Sequence, residues 1–160
     1  MAAQRTILHY LVRHGESKVE LQDAAKPLSD NGCEEVRRVA RYASAVGVEV
    51  AQIRHSDRLR ARQTAEILAE YLAPRLGIRE DEGLAPGDEP ERIRADIEDA
   101  DESLMLVGHL PHLSRLISAL VLGDSEKEII RPETGTMICL VKIERGFRLL
   151  WVLTPELAQV

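Results

Sequence analysis

At 160 residues, with 44% hydrophobic and 30% charged residues, the chain has the length and composition of one domain, over residues 1–160, that can bury a single core. A formal net charge of -6 argues against a nucleic-acid partner. No apolar run approaches the roughly eighteen residues needed to span a bilayer, and the segment from Met1 to Arg5 has no signal-peptide pattern, so a cytoplasmic protein without membrane contact is expected. Cys33 and Cys139 lie far apart in sequence and form no metal-ligand spacing, so both read as reduced, structural cysteines.

The run from Ile7 to Val12 is short, β-rich and apolar, as a buried parallel strand should be. It ends directly in Arg13-His14-Gly15-Glu16. Pro27 to Gly32 reads as a turn with Ser29 as N-cap, and Val36, Val39, Ala40, Ala43 and Val46 follow at helical spacing up to Gly47. Val48 to His55 predicts a second strand, and Ala61 to Leu72 a second helix that Pro74 and Gly77 break. Leu84 to Pro90 is a loop by its Gly and Pro content, with a short acidic helix from Glu91 to about Ala100. Leu104 to Val107 is the third strand, and Gly108-His109-Leu110-Pro111 turns into a helix with a stripe of Leu113, Leu116, Ile117, Leu120 and Val121. Met137–Ile143 and Phe147–Leu153, split by Glu144-Arg145-Gly146, predict a hairpin. Strands alternating with helices predict a three-layer α/β fold: a mostly parallel central sheet flanked by helices, with a C-terminal antiparallel hairpin.

The chemistry concentrates where strands end. In open α/β folds the ligand crevice lies at the carboxyl edge of the sheet, where the first strand delivers a guanidinium and an imidazole. A neutral imidazole nitrogen can attack phosphorus and form a covalent phosphohistidine, while fixed cations and donors hold the charged non-bridging oxygens. Arg54, Arg58, Arg60 and Arg62 follow the second strand candidate and His109 follows the third, so each could reach the same edge. No Walker-type loop, Gly-x-Gly-x-x-Gly or Cys-x-x-Cys motif is present, which removes the usual support for nucleotide or redox chemistry.

Three separated segments together resemble the histidine phosphatase superfamily, the phosphoglycerate mutase-like proteins. They are Leu11 to Ser17, Ser56 to Ala65 and Val107 to Pro111. Pro27 to Glu34 and the loop Leu84 to Asp88 are most similar to the SixA branch, small phosphohistidine phosphatases. The resemblance implies a hydrolase in which His14 is the nucleophile, Arg13 and Arg60 grip the phosphoryl group, and His109 holds a phosphoryl oxygen. It further implies that Gly15, Ser17 and Leu110 contact substrate, whereas Arg58 and Arg62 are surface charges and His9, His55 and His112 match no motif position. Glu16 is expected to be a turn residue paired with a nearby arginine. Neither a cofactor nor a metal is implied, because the motifs bring cationic side chains and no carboxylate cluster of the kind Mg²⁺ needs.

One departure bears on substrate. Superfamily members that act on phosphate esters often present an acid from the central loop to protonate the leaving oxygen, and Pro86 stands in that slot here. Asp88 or Glu82 could substitute, although neither occupies the matching position. An alkoxide needs that proton, worth about 10²-fold to 10⁴-fold in rate, whereas a phosphoramidate nitrogen can be protonated before cleavage and leave as neutral imidazole. No insertion remains to build a lid, which predicts a shallow, open pocket. The expected activity is therefore dephosphorylation of a phosphohistidine protein, such as a histidine phosphotransfer domain, through a covalent phosphohistidine enzyme. The alternatives are a small-molecule phosphomonoesterase and a catalytically quiet phosphoryl-binding module.

Overall fold

The computed structural model describes residues 6–159. Its centre is a six-stranded sheet of order β3-β2-β4-β1-β5-β6, formed by β1 (Leu8–Arg13), β2 (Gln52–His55), β3 (Ile78–Glu80), β4 (Leu104–Gly108), β5 (Met137–Lys142) and β6 (Phe147–Leu153). The first four strands are parallel, and β5 and β6 add as an antiparallel hairpin against β1. Gly146 turns that hairpin at φ 92, a left-handed conformation that costs glycine little.

Alternation along β1 divides the core in two. Tyr10 and Val12 face α1 (Asp30–Ala45) and α2 (Leu59–Leu72), packing with Val36, Ala40, Ala65 and Leu68. Leu11 faces the other way, toward α3 (Glu91–Asp99) and α4 (His112–Leu122), among Ile93, Ile97, Leu113 and Ile117. Helices on both faces of a largely parallel sheet make the three layers expected of the sequence. Ser29 caps α1 as foreseen, its hydroxyl accepting from the Gly32 N–H at 2.9 Å.

The departures are local. The second strand does not begin at Val48: only Gln52–His55 joins the ladder, while Val48 and Val50 are buried against the α1–α2 side without strand pairing. The edge strand β3 lies in a stretch read only as a break, since three residues with two exposed give no readable alternation. The placement that matters most for chemistry is register. β1 and β4 pair with Arg13 opposite Gly108, and β4 and β2 pair with Val107 opposite His55, so the residues that follow all three strands emerge side by side at one sheet edge.

Candidate active site

His14, His109 and Ser56 are the residues that emerge there. The His14 backbone N–H donates to the Gly108 carbonyl at 3.0 Å, and the Ser56 N–H donates to the Val107 carbonyl at 3.3 Å, so the strand ladder is prolonged into the site. The two imidazoles lie 4.9 Å apart between centroids, tilted by 48°. His14 is 8% exposed and His109 1%, so both rings are buried at the sheet edge.

Each ring is oriented by one contact. Nδ1 of His14 lies 2.7 Å from the carbonyl oxygen of Gly15, an acceptor only, so Nδ1 carries the proton and Nε2 keeps the lone pair. Burial, reinforced by the Arg60 and Arg13 charges and opposed by the Gly15 hydrogen bond, pushes the His14 pKa down to about 4. The ring is therefore neutral at cellular pH, and its free nitrogen carries a lone pair of the kind a nucleophile needs. Nε2 of His109 lies 2.5 Å from the Ser56 hydroxyl, and burial, then the neighbouring His14 and arginine charges, push its pKa down to about 3.

Arg13 and Arg60 bring the cations. Arg13 is tied by a donation from Nη1 to the Pro132 carbonyl at 3.1 Å, and its Nε is buried with no partner among the described residues. Arg60 sits in the first turn of α2, and neither arginine has a carboxylate within ion-pair distance among the described residues. Their neighbours differ. Arg58 pairs with Asp57 and Arg62 with Glu66, both at 2.9 Å, and Arg54 turns to Asp81 at 3.3 Å. Two half-buried guanidiniums with no acid in ion-pair range among the described residues, beside a neutral imidazole, are suited to an oxyanion.

The backbone between the motifs is braced by residues that motif reading left without a role. The Thr64 hydroxyl donates to the Arg60 carbonyl at 2.8 Å and accepts from the Gly15 N–H at 3.0 Å, coupling α2 to the turn that carries His14. A Cβ on Gly32 would stand 2.0 Å from the Glu16 carbonyl oxygen, and one on Gly15 would stand 2.7 Å from Val36. Both positions therefore need glycine for close approach rather than for flexibility. Glu16 pairs with no arginine among the described residues: its carboxylate accepts from Ser29 Oγ at 2.8 Å and Asn31 Nδ2 at 3.1 Å, fixing the motif to the start of α1. Thr64, Gly32 and Ser56 all lay inside segments already singled out, but only the contacts give them work.

The remaining expected residues are less central. Ser17 pairs through backbone with Leu28, and Leu110 packs partly into the α3–α4 core. His9 accepts from the Leu104 N–H at 3.1 Å, and His55 bonds the Ser56 carbonyl at 2.8 Å, both buried in structural settings. Asp88 accepts from the Ala85 N–H at 3.0 Å and closes its own loop, and Glu82 pairs with Arg92 at 3.3 Å. Both acids line a cavity of about 600 Å³ with Asp57, Arg58, Ala85 and Arg92, beside the histidine pair and containing neither ring. Among the described residues no three His, Cys, Asp or Glu side chains are grouped as a metal ion would require, and no helix is long and apolar enough to cross a membrane.

Known proteins resemble this chain in sequence and in fold. Residues 9–88 match the model of the histidine phosphatase superfamily, branch 1. The phosphohistidine phosphatase SixA of Escherichia coli K12 is 28% identical over 125 residues, covering 72% of this chain and 75% of that protein. A solved structure of the protein histidine phosphatase SixA complexed with tungstate superposes with a TM-score of 0.82 at 24% identity, covering 93% of this chain and 97% of the other. A putative α-ribazole-5'-P phosphatase from Escherichia coli shares the fold with a TM-score of 0.77 at 16% identity, over 93% and 98% of the two chains.

Proposed function

The chain belongs to branch 1 of the histidine phosphatase superfamily and is a phosphatase, and from that premise we propose that it is a metal-independent phosphohistidine phosphatase acting on a phosphorylated protein. The observation that carries the reading is the pairing of a neutral, lone-pair-bearing His14 Nε2 with two guanidiniums that have no carboxylate partner among the described residues, while Asp88 and Glu82 of the central loop are engaged by Ala85 and Arg92.

In the first step His14 Nε2 attacks phosphorus and a new P–N bond forms. The bond to the substrate imidazole breaks, and that ring leaves neutral because its other nitrogen has already taken a proton from solvent. Arg13 and Arg60 hold the equatorial oxygens, where charge is concentrated in the transition state. The Gly15 carbonyl keeps the Nδ1 proton in place and stabilises the positive charge that grows on the ring of His14. Water then attacks the phosphoryl-His14, inorganic phosphate departs and the imidazole is restored.

Rates measured side by side on a phosphohistidine phosphotransfer protein and a panel of alkyl phosphates test the proposal. A strong preference for phosphohistidine is expected, with activity persisting in excess EDTA. Comparable turnover of an alkyl phosphate would favour a small-molecule phosphomonoesterase with Asp88 or Glu82 as acid, a reading that the nearby cavity holding both residues keeps in play.

A further inference from the structure

We propose that Ser56 is a positioning residue that holds His109 as the Nδ1–H tautomer, so that the second pocket histidine meets the phosphoryl group as a neutral hydrogen-bond donor; the functional half of this rests on the reading just given.

The inference comes from where each proton can go. Ser56 is 1% exposed, and its hydroxyl oxygen has two partners among the described residues: the Arg58 N–H, which donates to it at 3.3 Å, and His109 Nε2 at 2.5 Å. The Arg58 contact is a donor and cannot accept the hydroxyl proton. Had Nε2 carried the ring proton, the Ser56 O–H would be a buried donor with nothing to accept it, and Nδ1 would be a bare lone pair. Had the hydroxyl donated to Nε2 instead, every polar atom of Ser56 would be satisfied and the ring proton would sit on Nδ1. The second arrangement leaves the smaller number of buried groups unpaired.

Nδ1 of His109 is itself buried and without a partner among the described residues. A buried donor left open, on a ring 4.9 Å from the nucleophile's ring, is a group waiting for an acceptor that the substrate brings. Burial and the surrounding cations keep this ring neutral, in line with a donor that needs no added proton. A neutral donor also suits the site, because a third full cation beside Arg13 and Arg60 would draw the phosphate product tighter and slow its release.

The test reads the tautomer first and turnover second. Long-range ¹H–¹⁵N spectra of the free protein should show His109 with a protonated Nδ1 and a bare Nε2. In Ser56→Ala the proton should spread to Nε2, whereas Ser56→Cys, which keeps the volume and a weak donor, should lie between. With a phosphohistidine phosphotransfer protein, Ser56→Ala should lower kcat roughly tenfold, the worth of one hydrogen bond, with a smaller change in KM. The double variant Ser56→Ala/His109→Ala should be no slower than His109→Ala alone, because the serine acts only through the histidine. Tungstate affinity should fall in Ser56→Ala alongside the tautomer shift. A wild-type His109 protonated on Nε2, or losses that multiply in the double variant, would overturn the proposal. Should the phosphohistidine protein not be turned over while the tautomer and tungstate affinity still follow Ser56, the substrate reading falls and the positioning role stands.

Discussion

The two strand-end histidines occupy equivalent places, each directly after a parallel strand whose last residue is paired with the other's, yet their rings meet different partners. His14 gives its Nδ1 proton to a carbonyl one residue away, a partner built into the same turn, and so exposes a lone pair at Nε2. His109 has no such neighbour; its Nε2 is met by Ser56, which arrives from a third strand. The difference teaches that the fold supplies position while the hydrogen-bond partner chooses chemistry. In the proposed mechanism the same side chain becomes nucleophile or donor according to whether an acceptor-only group or a hydroxyl meets it.

The comparison breaks most completely if the nucleophile is removed. His14→Ala should reduce turnover below detection, and brief exposure of the wild type to substrate should leave acid-labile, base-stable phosphate on His14. Label on His109 instead would reverse the assignment of the two rings.

Next in size is the asymmetry among the arginines. Arg60→Ala should cost roughly tenfold to a hundredfold in kcat/KM, as expected for a charged contact worth about 1.5 to 3 kcal/mol. Arg58→Ala and Arg62→Ala, whose charges are already engaged by Asp57 and Glu66 at the surface, should change the rate less than about twofold. Equal losses at all three would replace a gripping arginine with a general field.

Gly32→Ala sharpens the comparison from outside the pocket. The added Cβ would fall 2.0 Å from the Glu16 carbonyl oxygen, a backbone atom that cannot rotate away. The start of α1 or the His14 turn must shift, so a loss of about 1 to 3 kcal/mol in urea denaturation is expected, together with reduced activity. The β4 end has no such contact with α1, and the His109 environment should be largely preserved, as its ring spectra would report.

The pair's outer features were legible in the sequence because they depend on local patterns. Arg13 and His14 follow a largely apolar run, and Gly108-His109 follows another, so the sequence places strand ends and imidazoles together. Ser29 reads as a cap and the α4 stripe of Leu113, Leu116, Ile117 and Leu120 as a buried face for the same reason. What could not be read depends on which strands neighbour one another. The Ser56–His109 bond spans residues brought together only by the β2–β4 register, and Thr64 reaches Gly15 only because α2 packs beside α1. The arginine partner expected for Glu16 is replaced by Ser29 and Asn31, which the chain folds onto it.

Both rings should also stay neutral well below the usual histidine range. Titration followed by NMR should show the His14 midpoint near about 4 and that of His109 near about 3, instead of about 6.5. His9, pushed down to about 4 by burial and then by Lys142, belongs to the same set. Folded pKa values below the unfolded value mean that the unfolded chain binds more protons at acid pH. Stability is thus full above about pH 6.5 and declines as pH falls toward about 4. His9→Asn, whose amide oxygen can still accept from the Leu104 N–H, should flatten that decline when urea midpoints are compared across the range. An unchanged slope would place the acid sensitivity in the pocket rings.

The smallest expected effect is the one that decides how the leaving group departs. Asp88 spends one carboxylate oxygen on the Ala85 N–H, and Glu82 is paired with Arg92, so neither is a free acid aimed at the histidines. Asp88→Asn keeps an oxygen for the Ala85 contact and removes only the ability to give a proton, and Glu82→Gln does the same at the cavity wall. Phosphohistidine turnover should change by less than about twofold in either variant, because a general acid would be worth about 10² or more. A large loss in Asp88→Asn with stability unchanged would mean that the loop acid is used after all. His109 would then be one of two groups serving the leaving side, and alkyl phosphates would become the substrates to examine first.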